Sequence, residues 1–308
     1  MRKVNLPPRI RRLKRDAHKG DRGRVLIVAG SRTMSGAARL AGWGALRGGA
    51  GLVTIATPEE VQPIVAAELA CAMTLPLPSR RGALTAAGVA AARALAEKAG
   101  AVACGPGLTT LVAPFLRRFL RGLATPLVLD ADALNVIAAE PGILENVPAP
   151  RVITPHPGEA ARLLGREIGT DRMARKEAAA DLAERFHAVA VLKGAGTIVC
   201  SSERCYLNRT GNPGMGTGGV GDVLTGVIAA RLASGTAPFI AAAQAVFLHG
   251  RAGDLAATAS GENAMIATDL VANLPAAVSE LTESAPARPG SDQADPDRGR
   301  NRGSRRGR

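Results

Sequence analysis

The stretch "RVLIVAGSRTMSGAARLAGWGALRGGAGLVTIA" (residues 24–56) decides the fold class of this chain. It opens on an aliphatic run, crosses a short polar loop, continues in an Ala/Leu/Arg segment and returns to a second aliphatic run. Neither run alternates apolar with polar residues, so each predicted strand has both faces covered, as in a parallel sheet. The segment between them, residues 36–46, reads as a helix. The same unit recurs along the chain. "AVACG" (101–105), "LVLD" (127–130), "RVIT" (151–154) and "AVAVLKG" (188–194) are further aliphatic runs, separated by helical stretches at 85–99, 111–120 and 171–186. Strands alternating with helices predict an α/β protein: a doubly wound, mainly parallel sheet with helices on both faces, in a single large domain. Beyond Lys193, "TIVCSSERCYLN" (197–208) reads as two short strands around a polar turn at 201–204. A helical region at about 220–257 and a last helix near 268–280 follow.

Composition sets limits on function. The 308 residues carry a formal charge of +13, but residues 1–24 alone hold ten Lys/Arg against two Asp. The basic character belongs to the two ends, which read as solvated arms, and the body between them is nearly neutral. Nucleic-acid binding through basic termini is the reading from another class. Against it stand the neutral body and an aromatic content of 2%, too sparse for base stacking. Four cysteines without C-x-x-C spacing read as buried reduced thiols rather than a zinc site. No apolar leader and no run of membrane-spanning length is present, which gives the expectation of a cytoplasmic protein without a membrane partner. Residues 1–24 form a basic N-terminal segment and 25–282 the folded domain. Residues 283–308, rich in Pro, Gly, Asp and Arg, form a disordered basic tail.

Polar and glycine signals gather where predicted strands end. "AGSRTMSGAA", "GPGL", "DADALN", "TPHPGEA" and "KGAGT" each follow an aliphatic run, and ligands of open α/β sheets bind at that edge. To these the chain adds "GNPGMGTGGVGDVLTG" (211–226), a glycine-rich run that enters an apolar helix. Gly218, Gly219, Val220 and Gly221 would aim free backbone N–H groups at one point, an anion cradle at a helix N-terminus. Asp222, in the first turn, would accept a proton from a hydroxyl held there; the structural alternative is a helix N-cap. No "GK[ST]" closes this run and no G-x-G-x-x-G follows the first strand, so neither a Walker A loop nor a dinucleotide fingerprint is present. Lys193 is either a solvated hairpin charge or a ligand contact between close-approach glycines. His156, between two prolines, is either a surface imidazole or a site residue. Asp130 and Asp132 would cap the following helix, with a share in holding magnesium through water.

In this order the pieces resemble the ADP-dependent NAD(P)H-hydrate dehydratase family of ribokinase-like fold. The matching stretches are "HKGDRGRVLIVAGS", "SGAARLAGWGALRGGAGLVTIATPE", "GPGL", "LVLDADALN", "VITPHPGEAARLLG", "LKGAGTIV" and "GNPGMGTGGVGDVLTG". The resemblance implies a hydro-lyase that restores hydrated NADH or NADPH of the S form, with ADP as co-substrate, Mg2+ as cofactor, and AMP and phosphate as products. It implies that Ala37, Gly107, His156 and Asp222 contact the hydrated dinucleotide. Lys193, Gly194, Ala195, Gly196, Thr197 and Gly221 would hold the adenine nucleotide. It further implies a homo-oligomer such as a tetramer. The chain departs from the family at Thr109 and Thr110, where another glycine is usual. The epimerase domain fused to many relatives is not expected, since 24 residues precede the first strand, so epimerisation would be spontaneous or the work of another protein. The runner-up is a small-molecule kinase of the same fold, acting on a hydroxyethylthiazole-type vitamin precursor.

Overall fold

The computed structural model describes residues 2–4 and 7–283. The strands are β1 (Arg2–Val4), β2 (Arg24–Val28), β3 (Leu52–Pro58), β4 (Met73–Leu77), β5 (Ser79–Arg80), β6 (Ala83–Leu84), β7 (Ala101–Cys104), β8 (Leu127–Leu129), β9 (Arg151–Ile153), β10 (Val189–Leu192), β11 (Ile198–Cys200) and β12 (Arg204–Leu207). Ten of them form one sheet in the order β1-β12-β11-β10-β9-β8-β7-β2-β3-β4, while β5 and β6 make a small separate hairpin. The pairings from β10 through β9, β8, β7, β2 and β3 to β4 are all parallel. Only β11 runs against the rest.

The helices are α1 (Ser35–Arg47), α2 (Gln62–Glu68), α3 (Val89–Ala96), α4 (Ala113–Leu120), α5 (Ala131–Ala139), α6 (Pro157–Leu164), α7 (Arg172–Arg185), α8 (Val220–Ala233), α9 (Pro238–Ser260) and α10 (Ala267–Leu281). They cover both faces of the sheet. Val25 and Ile27 of β2 join one core with Ala41 of α1, Val227 of α8 and Leu270 of α10. Leu26 and Val28 join the other with Phe115 of α4, Ile137 of α5 and Leu182 of α7. Successive strand residues point to opposite faces, so burying both faces requires a continuous aliphatic run.

Glycine in the helical segments has a packing reason. A Cβ on Gly44 of α1 would lie 2.2 Å from the carbonyl oxygen of Val223, and one on Gly226 of α8 would lie 2.0 Å from that of Ala41. The two helices touch through backbone, which seats α8 over the centre of the sheet. The expected helix at 220–257 is in fact two, broken at residues 234–237 with Pro238 opening α9, where a missing N–H costs nothing. Edge strands β1 and β4 lack an aliphatic-run signature; β4 carries Pro76 and exposed Met73.

Two expectations need correction. Cys200 and Cys205 are disulfide-bonded, not reduced, because the β11–β12 register sets them opposite each other with Cα atoms 4.2 Å apart. Cys104 is a buried thiol and Cys71 is exposed. The N-terminal segment is no solvated arm either. Ile10 is buried in the core and exchanges backbone hydrogen bonds with Leu281 and Glu283, while β1 pairs with β12. The tail beyond Glu283 lies outside the described residues.

Candidate active site

The parallel strands end along one edge, and the loops that follow them stand side by side in sheet order. The Lys193 N–H donates to the Pro155 carbonyl at 2.9 Å, and Asp130 N–H to the Cys104 carbonyl at 3.1 Å. Gly30 N–H donates to the Pro106 carbonyl at 2.8 Å. These bonds tie the "KGAGT", "TPHPGE", "DADALN", "GPGL" and "AGSRT" loops into one rim.

At its centre is an ion pair that no single loop contains. Lys193 Nζ lies 2.6 Å from Asp130 Oδ1 and 3.8 Å from Glu159 Oε2. The other Asp130 oxygen accepts a 2.6 Å hydrogen bond from Thr225 Oγ1 on α8. Asp130 is 1% exposed and the Lys193 side chain 18%, so Lys193 is not a solvated hairpin charge. Burial opposes the Lys193 ammonium, but Asp130, Glu159 and Asp222 outweigh it and hold its pKa above the ordinary value. Asp130 occupies the N-cap position of α5, yet its side chain makes no capping bond, which corrects the capping expectation. Asp132 accepts the Thr109 N–H at 2.9 Å through one oxygen and Asn135 Nδ2 at 3.2 Å through the other. Each of these four oxygens accepts a hydrogen bond within the protein. Among the described residues no group of three or more His, Cys, Asp or Glu is placed to hold a metal.

Helix α8 enters this cluster. Its N-cap is Gly219 at φ 88°, a left-handed conformation in which a Cβ would strike Leu40 at 2.3 Å. Gly219 offers no side chain to cap the helix, and among the described residues none is recorded accepting from the Gly221 or Asp222 amides of its first turn. Gly221 brings that turn up to Lys193: a Cβ there would lie 3.5 Å from Nζ. Asp222 sits in the first turn and is not the cap. Burial, with the negative field of Asp130, pushes its carboxyl up to about 7, and Lys193 offsets this only in part. A cavity of about 390 Å³ opens beside the run, walled by Pro213, Gly216, Thr217, Glu262, Asn263 and Ile266.

Ala37 and Gly107 also meet. A Cβ on Gly107, at φ 62°, would lie 2.9 Å from that of Ala37. Thr109 adopts φ 63°, ψ 158°, backbone that favours glycine, so the threonine keeps the loop path at a cost in strain. His156 is the N-cap of α6: Nδ1 accepts from the N–H groups of Gly158 at 3.0 Å and Glu159 at 3.4 Å. The Glu159 carboxylate in turn accepts the His156 N–H at 2.9 Å. The imidazole is half exposed, with Nδ1 committed as an acceptor and Nε2 3.5 Å from Glu159 Oε1.

Several supporting residues escaped the sequence reading. Arg175 of α7 donates to the carbonyls of Ala195 and Lys193, clamping the loop that contains Gly194 and Gly196. Helix α9 forms a bed for the glycine run. Asp254 accepts the Gly211 N–H at 3.0 Å, and buried His249 meets the Val220 carbonyl through Nε2 at 2.8 Å. Burial drives His249 down to about 4, so it is neutral and donates there. Glu159 and Thr225 lie inside quoted motifs, where a buried-polar signal was available. Arg175, His249 and Asp254 sit in helices with no local signal.

A single, mostly parallel sheet with helices on both faces, and a glycine-led helix aimed at its carboxyl edge, places the chain in the ribokinase-like class. The sequence profile of NAD(P)H-hydrate dehydratases matches residues 25–276. The chain belongs to that family. It is 43% identical over 270 residues to the bifunctional NAD(P)H-hydrate repair enzyme of Moorella thermoacetica, covering 86% of this chain and 51% of that one. It is 35% identical over 266 residues to the ADP-dependent (S)-NAD(P)H-hydrate dehydratase of Xanthomonas campestris, covering 85% and 90%. The crystal structure of the ADP/ATP-dependent NAD(P)H-hydrate dehydratase of Bacillus subtilis, grown with ATP and Mg2+, superposes with a TM-score of 0.73 at 32% identity, covering 90% and 94%. The chain spans about half the length of the bifunctional relatives it matches.

Proposed function

We propose that this protein dehydrates the S form of hydrated NADH or NADPH at the expense of ADP. The observation that carries the reading is Asp222, raised to about 7, at an uncapped helix N-terminus against the Lys193–Asp130 pair. A carboxylate poised near neutrality is matched to accept a proton from a hydroxyl. In the proposed route the ring hydroxyl loses its proton to Asp222 as its oxygen takes the terminal phosphoryl group of ADP, which leaves as AMP. The amides of Gly218, Gly219, Val220 and Gly221 and the ammonium of Lys193 stabilise the migrating charge. The C–O bond then breaks, phosphate departs with its electrons, and a proton lost from the adjoining carbon re-forms the ring double bond.

Ala37, Gly107 and His156 are assigned to the hydrated dinucleotide. Lys193, Gly194, Ala195, Gly196, Thr197 and Gly221 are assigned to the nucleotide, with Arg175 fixing their loop. Mg2+ is proposed to arrive with the nucleotide phosphates, and no step is routed through it. A homo-oligomer in the cytoplasm is the proposed setting.

The test is direct. Hydrated NADH, ADP and Mg2+ are incubated with the protein, and recovery of reduced-nicotinamide absorbance is followed beside AMP and free phosphate. Absorbance recovery with equal amounts of all three products supports dehydration. A stable phosphorylated product without absorbance recovery would make the protein a kinase of the same fold.

A further inference from the structure

The opposite edge of the sheet carries a second concave surface. Residues 8–22, the α1–β3 turn, the ends of α8 and α10 and the start of α9 enclose a groove of about 970 Å³. That volume lies within the usual range for small-molecule and cofactor sites. Arg9, Arg11, Arg12, Lys14, Arg22 and Arg231 line it, against only two acids, Asp16 and Asp21. Asp21 Oδ2 accepts the backbone N–H of His18 at 3.0 Å. Among the described residues, none of the six cations lies within ion-pair distance of a carboxylate.

Helix-end carbonyls account for part of this charge. Arg9 donates to the carbonyls of Glu280 and Thr282 at 3.4 and 3.2 Å, and Arg22 to that of Gly49 at 3.2 Å. They do not account for Arg231 on the floor. Its Nε donates to Gln244 Oε1 at 3.1 Å and a terminal nitrogen to Thr236 Oγ1 at 3.5 Å. Gln244, itself buried, is locked in turn by a 2.9 Å bond from Nε2 to the Pro8 carbonyl. The guanidinium is therefore aimed by neutral partners, and its charge is left uncompensated in a partly desolvated place. Burial lowers its pKa accordingly. Such a charge is costly unless an anion joins it. Guanidinium forks match phosphate oxygens, and the exposed Leu13 with Ile240 and Val278 offers an apolar wall beside them.

We infer that this groove binds a phosphate-bearing organic anion of nucleotide size, at a site separate from the catalytic cleft. Helix α8 carries Asp222 in its first turn and Arg231 in its last. Nine residues of rise separate them by about 14 Å, so the two sites share a helix and no contact.

The experiment is calorimetric titration of the full chain with inorganic tripolyphosphate at low and at physiological ionic strength. Two variants accompany it: Arg231→Gln, and the exposed triple substitution Arg11→Gln, Arg12→Gln, Lys14→Gln. The expected result is a binding event that each variant weakens by roughly tenfold or more and that weakens with salt. The KM for ADP in the triple variant should stay unchanged. Unaltered tripolyphosphate affinity in the triple variant overturns the proposal even if Arg231→Gln fails to fold.

Discussion

Replacing Asp222 by Asn tests the centre of the mechanism because two independent readouts move in opposite directions. The folded carboxyl titrates at about 7 against an ordinary value of 3.8. Between those values the native state binds more protons than the unfolded chain, so wild-type stability falls as pH rises from about 4 to about 7. The difference between those two values corresponds to about 4 kcal/mol. Asn cannot ionise, so Asp222→Asn should melt higher than wild type at pH 8, with the difference vanishing near pH 4. Turnover should do the reverse. Loss of a general base costs about 10²–10⁴ in rate, and ADP binding should survive, since the amides of α8 and the Lys193 loop remain. In the wild type, kcat/KM should fall about tenfold per pH unit below pH 7, as the base is protonated. Stopped assays of nicotinamide recovery across pH, with thermal melts of both proteins, give every quantity. Near-normal turnover in the Asn variant, or a flat wild-type profile between pH 5 and 8, would remove Asp222 from the mechanism.

The other predictions address the supports of the site. Lys193→Met leaves Asp130 buried with only the Thr225 hydroxyl; urea unfolding should show a loss of about 3–5 kcal/mol, and an unchanged midpoint would mean that the pair is not buried as described. His156→Ala removes an N-cap and should cost about 0.5–2 kcal/mol. His156→Asn should restore that stability without restoring the KM for the hydrate, whereas recovery of both would make the residue a cap only. Thr109→Gly relieves strain of about 1–3 kcal/mol against a smaller entropic cost of about 0.4–1 kcal/mol. Its melting temperature should therefore rise, and a fall would mean that the threonine side chain stabilises the loop.

The sequence by itself determined the layers and the edge at which the polar loops gather. Unbroken aliphatic runs mark strands buried on both faces, and β2, β3, β7, β8, β9 and β10 each stand where such a run lies. Polar and glycine residues after those runs must fall at one edge once the strands are parallel, so the rim was legible before any contact was known. Tertiary structure decided which of these residues meet. Asp130 finds Lys193 at 63 residues' separation and Thr225 at 95, and only the strand order brings them together. Periodicity reports neighbours two to four residues apart and carries no information on contacts across the sheet. For that reason Asp130 read as a cap and proved to be the anchor of the cluster. His249 and Asp254, which hold the glycine run from α9, gave no signal at all. The Cys200–Cys205 bond depended on hairpin register, and the docking of Ile10 on a helix end more than 270 residues away. A pattern fixes what each segment must bury; the partner that buries it is chosen when the segments pack.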